Sequence, residues 1–215
     1  MELRLPLEMS PGREAACRAV FGTWGFFRTM HGETAREALR ETLAEKPLAR
    51  ITVQELIDRA NICRTTFYAH YEDIYALLNE VESDILSEIR EELEQLDQAP
   101  IRVQTRYPAI ETVVKVYARH EEMIRLLNGP NGDPAFDAQL QDTIYDATRR
   151  LRILKEGDAF DEERHRLYSC YVISGGISVL NRLLSSGLPL DPTEASRVLG
   201  AMAAAGERVF LEMDI

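Results

Sequence analysis

Between Thr52 and Tyr71 the chain reads TVQELIDRANICRTTFYAHY, a stretch that concentrates side chains able to grip a polyanion and read base edges. Arg64 can donate two parallel hydrogen bonds to the edge of a guanine. Thr65 and Thr66 offer hydroxyls to phosphates and methyls to thymine, and Tyr68 and His70 add groups suited to a sugar–phosphate backbone. Thr52 and Gln54 open the preceding segment, where the free N–H groups of a helix start attract phosphate. Phe67 sits among these polar positions and is expected to pack between helices. Other chemistry is poorly represented. Cys17, Cys63 and Cys170 are odd in number and lack CxxC spacing, and His31, His70, His120 and His165 form no HExxH-type pair. No metal site, disulfide framework or cofactor is therefore expected. A nucleophilic cysteine needs a base beside it; none is visible, so no catalytic residue is assigned. Cys63, next to Arg64 at a predicted helix start, is expected to have a lowered thiol pKa and to be redox-sensitive.

These side chains need two short helices and a tight turn. Thr52-Val53-Gln54-Glu55 has the form of a capping box, threonine first and glutamate three residues on. Leu56, Ile57 and Ala60 follow at helical spacing, which predicts a helix over about 53–60. Asn61 tolerates the left-handed conformation that a tight inter-helix turn requires, and Ile62 would bury beneath it. A second short helix is predicted over 64–70. Two such helices can set the second into the major groove, which is wide enough to admit one.

The surrounding pattern is helical throughout. Thr34-Ala35-Arg36-Glu37 reads as an earlier capping box, with Ala35, Ala38, Leu39, Thr42 and Leu43 on one face and Pro47 as terminator. From Ile74 to Leu96 apolar residues recur at helical spacing, and Pro100 closes the region. Shorter helices are predicted at about 109–120 and 122–127. Asp133-Pro134 opens another, and Asp191-Pro192-Thr193-Glu194 opens the last, each with aspartate as N-cap and proline at the first helical position. The stretch 162–186 is apolar on most sides at its centre and is expected to be buried on most sides; Gly175 and Gly176 within it suggest close backbone packing. No strand is predicted. Residues 1–32 read as an extension, with Phe21, Trp24, Phe26 and Phe27 able to pack on the body or on a partner.

The formal net charge is −11 over 215 residues, unusual for a nucleic-acid binder. Its distribution matters more than its sum: residues 1–79 hold 10 Lys/Arg against 11 Asp/Glu, and residues 80–215 hold 15 against 25. The acidity lies outside the reading segment, which can work with a few local cations and aimed backbone N–H groups. Hydrophobic residues at 45% suffice for a core. No apolar run approaches the ~18 residues of a membrane span, and the N-terminus is a poor signal peptide, so a cytoplasmic protein with no membrane partner is expected.

The segment from Glu33 to Asn79 resembles the N-terminal domain of TetR-family regulators, through Ile51, Thr52, Val53, Leu56, Ala60, Ile62, Thr66, Phe67, Tyr68, His70, Tyr71 and Leu77. Three positions depart from the family pattern. Asn61 replaces a glycine, Cys63 replaces a small hydroxyl residue at the N-cap, and Ile74 stands where a phosphate-binding lysine is usual. The resemblance implies an all-α homodimer. An N-terminal three-helix helix-turn-helix domain (33–79) would bind a double-stranded DNA operator through Thr52, Gln54, Arg64, Thr65, Thr66, Tyr68 and His70. A C-terminal helical domain (80–215) would bind a small-molecule effector and dimerise, its glycine pair lying in the dimer face. Such a protein would be a ligand-responsive repressor. The alternative is a protein-interaction adaptor or co-activator that kept the fold with weak or lost DNA binding, motivated by Ile74 and the non-basic head. Candidates for an effector cavity are Tyr107, Tyr117, His120, Met123, Tyr145, Arg149, Tyr168 and Tyr171, although residues of these types more often belong to plain core or a dimer interface.

Overall fold

The computed structural model describes residues 32–98, 107–187 and 190–212, and every regular element among them is helical. The expected extension, with its aromatic clusters, lies outside the described residues apart from Gly32. Residues 32–45 are the described part of helix α1. It is followed by a 3-10 turn at Leu48–Arg50, α2 (Val53–Ala60), α3 (Arg64–His70) and α4 (Ile74–Gln98). Then come α5 (Pro108–Arg119), α6 (Glu121–Leu127), α7 (Phe136–Glu156), a 3-10 turn at Gly157–Ala159, α8 (Glu162–Ser185) and α9 (Pro192–Glu212). Among the described residues no helix is long and apolar enough to cross a membrane.

The chain divides into two compact units. The first holds α1 to Thr42 and residues 51–77; the second holds residues 43–50 and everything from Leu78 onward. In the first unit the buried apolar residues are Ala35, Ala38, Leu39, Ile51, Leu56, Ile57, Phe67, Tyr71 and Leu77. The predicted α1 stripe is thus the buried one, but residues 32 and 33 are already helical, so Thr34 lies inside the helix and is not its N-cap.

The second unit is built by α5 on α9, α7 on α8, α8 on α9 and α6 on α8. Its apolar interior includes Val114, Val116, Tyr117, Ile124, Leu127, Phe136 and Leu140, all fully buried. A chain of polar side chains crosses it. Asn128 donates to Asn181 at 2.9 Å, Asn181 to Asp137 at 3.1 Å, Gln141 to Asp137 at 2.7 Å and Ser174 to Gln141 at 2.7 Å. Networks of this kind favour one packing arrangement over its neighbours, although the Asn128 Oδ1 is left buried without a hydrogen-bond partner among the described residues. Asp133 caps a turn ahead of α7, its Oδ1 accepting from the Ala135 N–H at 2.9 Å, so the helix proper starts two residues later than Pro134. Asp191 caps α9 as expected, accepting from the N–H groups of Thr193 and Glu194.

Helix α8 departs from its sequence-based expectation. Within the chain it is buried along one face only, through His165, Ser169, Ile177, Leu180 and Leu184. Tyr171 is 60% exposed, and Leu167 and Leu183 are exposed as well. Among the described residues no atom of another part of the chain comes within 4 Å of a Cβ built at Gly175 or Gly176, so they do not supply the close packing expected of this pair.

Candidate nucleic-acid interface

Helix α2 starts where the sequence says it should. Thr52 is extended (φ −118°, ψ 150°); its hydroxyl accepts from the Glu55 N–H at 3.3 Å, while its own N–H and hydroxyl donate to Glu55 Oε2, both at 2.9 Å. Both halves of the capping box are formed. Asn61 ends the helix in the left-handed region (φ 51°), the only described non-glycine residue with positive φ. The chain therefore reverses within three residues, Ile62 bonding back to the Ile57 carbonyl at 3.1 Å, and α3 begins at Arg64.

Cys63 occupies the N-cap of α3 without making a side-chain cap hydrogen bond. Its Sγ instead lies 3.0 Å from the Thr65 hydroxyl and 2.9 Å from that of Thr66. Hydrogen bonds from Thr65 first, then Thr66, lower the thiol pKa from 9.0 to about 7. The thiol is exposed.

Phe67 is fully buried and packs edge-on against Tyr68 and obliquely against Tyr71, both ring pairs at 5.6 Å. It anchors α3 with the opposite face outward. On that face stand Arg64, Thr65 and Tyr68, all exposed, with Thr66 and His70 half-buried at its margins. The Arg64 guanidinium lies over the Tyr68 ring, 5.7 Å from its centroid. Arg59 pairs with Glu41 at 3.5 Å, whereas Arg64 has no carboxylate partner among the described residues, which leaves its hydrogen-bond donors available. The seven expected residues are thus brought onto neighbouring turns, but four are engaged locally: Thr52 in its capping box, Gln54, whose Nε2 donates to Asp58 at 2.8 Å, and Thr65 and Thr66 at the Cys63 sulfur. At the start of α4, Ile74 is half-buried, and the carboxylate of Asp73 accepts from the Ala76 N–H at 2.8 Å. This helix N-terminus already holds an anion and carries no cation at its first position.

The residues expected to line an effector cavity separate in the structure. Tyr107 and Tyr168 border one cavity of the second unit with Arg152, His165 and Glu207, and Tyr171 borders another. That second cavity, about 300 Å³, is walled almost entirely by aliphatic groups of α5, α7, α8 and α9, including Ile110, Val113, Ile144, Val172 and Leu199. Tyr117 is fully buried in the core, with burial first and Asp137 second pushing its hydroxyl pKa up. His120 and Arg119 pair with Glu88 on the surface of α4. Arg149 is bound to Glu162, Tyr145 donates to the same carboxylate at 3.3 Å, and Met123 lines neither cavity. At the polar cavity, Arg152 is held between Glu156 and Glu207, each at 2.7 Å, and Tyr107 donates to Glu207 at 3.0 Å. His165 is buried between the rings of Tyr145 and Phe160. Its pKa is lowered by burial first and then by Arg152, which favours the neutral ring. The aliphatic walls were not legible as a site in the sequence, because helix-spaced Ile and Val look the same lining a cavity as filling a core. Among the described residues no cluster of His, Cys, Asp and Glu could hold a metal ion.

The family model for the TetR-type transcriptional regulator C-terminal region matches residues 104–204. The fold is similar to that of a TetR transcriptional regulator from Streptococcus agalactiae 2603V, at 19% identity and a TM-score of 0.58, covering 84% of this chain and 97% of that one. It is also similar to the dihydroxyacetone kinase operon activator DhaS, at 12% identity and a TM-score of 0.51, covering 84% of this chain and 94% of that one. The comparison with curated proteins finds no match. Residues 104–204 thus match the C-terminal region of TetR-type transcriptional regulators, and the all-helical fold is similar to that of a solved TetR-type regulator.

Proposed function

We propose that this regulator binds a double-stranded DNA operator through α3 and acts as a homodimer whose DNA affinity responds to a small effector. The observation that carries the reading is the α2–turn–α3 unit. A complete capping box, a left-handed Asn61 and a buried Phe67 together present Arg64, Thr65 and Tyr68 outward, and Arg64 is not neutralised by any described acid. Arg64 takes the base-reading role; Thr65, Thr66, Tyr68 and His70, with the N-terminal turn of α2 at Thr52 and Gln54, take backbone contacts.

Dimerisation is supported by α8 and α9, which leave Leu167, Tyr171, Leu183, Val198, Met202 and Val209 exposed. Apolar side chains at that density on two adjacent helices are costly in water, and a second copy meeting them across a two-fold axis would cover them. The open space above Gly175 and Gly176 admits a partner helix at short range. The aliphatic cavity among α5, α7, α8 and α9 suits an apolar effector. Effector binding that changes the separation of the two α3 helices from the ~34–36 Å of successive major grooves would release DNA, giving repression relieved by ligand. The protein acts here as a cytoplasmic regulator and not as an enzyme.

A mobility-shift titration on the DNA upstream of the protein's own coding sequence tests the reading. Salt-sensitive, sequence-selective binding that weakens on Arg64→Ala is expected. Absence of retention at low salt, with recovery of a protein partner instead, would favour an adaptor, the reading that Ile74 and the anionic start of α4 support.

A further inference from the structure

Glu82 lies on α4 with 1% of its surface exposed, and among the described residues neither carboxylate oxygen has a hydrogen-bond partner. An ionised carboxylate in that position would lack water, hydrogen bonds and a counter-ion together, the least favourable setting for the charge. No Lys, Arg or His among the described residues acts on it. The charged group that does is another acid, Asp133, in the loop between α6 and α7.

That loop also holds the segment leading into α2. The Leu48 N–H donates to the Asn131 carbonyl at 2.8 Å, and Asn131 Nδ2 donates to the Leu43 carbonyl at 3.0 Å. The loop is tightly wound: a Cβ at Gly132 would stand 2.1 Å from the Leu127 carbonyl oxygen. It has little room to relax, so a charge change beside Asp133 acts on the loop that carries the Asn131 clamp.

We propose that Glu82 is a proton-operated latch: the neutral carboxyl accompanies the loop seated on residues 43–50, and unseating the loop lets Glu82 reach water and release its proton. The step is a simple ionisation, the carboxyl proton passing to water. Burial first and Asp133 second raise the Glu82 pKa from 4.5 to about 7. Over the window from 4.5 to about 7 the seated form therefore holds one proton more than the open form, and rising pH favours opening; above about 7 both forms are ionised and the effect levels off. Because residues 43–50 lead directly into α2, the latch would make operator affinity depend on proton concentration, a consequence that rests on the DNA-binding reading above.

The test needs no DNA. Hydrogen exchange at the Leu48 amide, corrected for intrinsic base catalysis, is followed from pH 5 to pH 8 in the full chain. Protection should fall by about tenfold or more up to pH 7 and then level off. Glu82→Gln should abolish this dependence, and Asp133→Asn should move the levelling-off to lower pH. If Glu82→Gln does not fold, Glu82→Leu serves the same comparison. Equal pH dependence of Leu48 protection in wild type and variant overturns the proposal. A latch seen without any operator binding would keep it and discard the DNA-binding reading instead.

Discussion

The guanidinium carbon of Arg64 sits 5.7 Å from the centre of the Tyr68 ring, one helical turn further along α3. The contact extends a flexible cation along the outer face of the helix and holds it over a ring that is itself 47% exposed. Stacking of this kind contributes roughly 0.5–1 kcal/mol at an exposed site and reduces the side-chain freedom lost when Arg64 meets a base edge. In the proposed interface Tyr68 would thus have two roles, one toward the phosphate backbone and one toward Arg64.

Arg64→Ala is expected to weaken operator binding by about 10- to 100-fold, corresponding to a bidentate base contact worth roughly 1–3 kcal/mol. Tyr68→Ala should lose less, and the double variant less than the sum of the two, since the residues touch. Because both side chains are exposed, thermal midpoints should stay close to wild type. Fluorescence anisotropy with labelled operator, alongside thermal unfolding, checks both parts.

The turn before α3 gives a stability prediction. Asn61 adopts φ 51°, a region that costs a residue with an ordinary Cβ roughly 1–2 kcal/mol. Asn61→Gly should be close to neutral, and Asn61→Ala should destabilise by about 1 kcal/mol. Thr52→Ala, which removes the hydroxyl from the capping box, should lose a further ~1 kcal/mol. Urea denaturation resolves all three.

Cys63 is expected to react with an alkylating agent with a pH midpoint near 7, because the Thr65 and Thr66 hydroxyls stabilise its thiolate. Thr65→Val and Thr66→Val should each move that midpoint upward. Alkylation rates at the Cys63 peptide, followed by mass spectrometry between pH 6 and pH 9, give the answer; an unshifted midpoint in both variants removes the threonines as the cause.

Tyr171→Glu and Met202→Glu each place a charge on the exposed apolar face of α8 and α9. Each should convert a dimer to a monomer in sedimentation velocity while leaving helical content unchanged, since neither side chain belongs to the protomer's buried core. A wild-type chain that sediments as a monomer at high micromolar concentration contradicts the dimer.

The reading segment was legible because its signals are local. A capping box, an asparagine at a turn and a Phe-Tyr pair each act within a few residues, and α2 and α3 form over the residues that the pattern marked. Thr34 misled because a capping-box sequence is also acceptable inside a helix, and here residues 32 and 33 are already helical. Helix α8 misled for a different reason: apolarity reports that a surface is to be covered, and a single chain's sequence does not say whether its own residues or a second copy's do the covering. The cavity candidates scattered because their positions are set by long-range packing, which placed Tyr117 in the core, His120 in a hydrogen bond with Glu88 and Arg149 in a surface ion pair. Glu82 was invisible for the same reason, since its spacing on α4 gives no hint that the loop carrying Asp133 lies against it.

The central claim is that α3 reads DNA through Arg64. A salt titration of operator affinity for wild type and Arg64→Ala, each measured on operator and on a scrambled duplex of equal length, tests it most directly. The account predicts that wild type prefers the operator by at least about 10³-fold, that Arg64→Ala loses most of its affinity on the operator and little on the scrambled duplex, and that both lose affinity as salt rises. Equal affinity of wild type for the two duplexes, or an equal loss on both when Arg64 is removed, would contradict it.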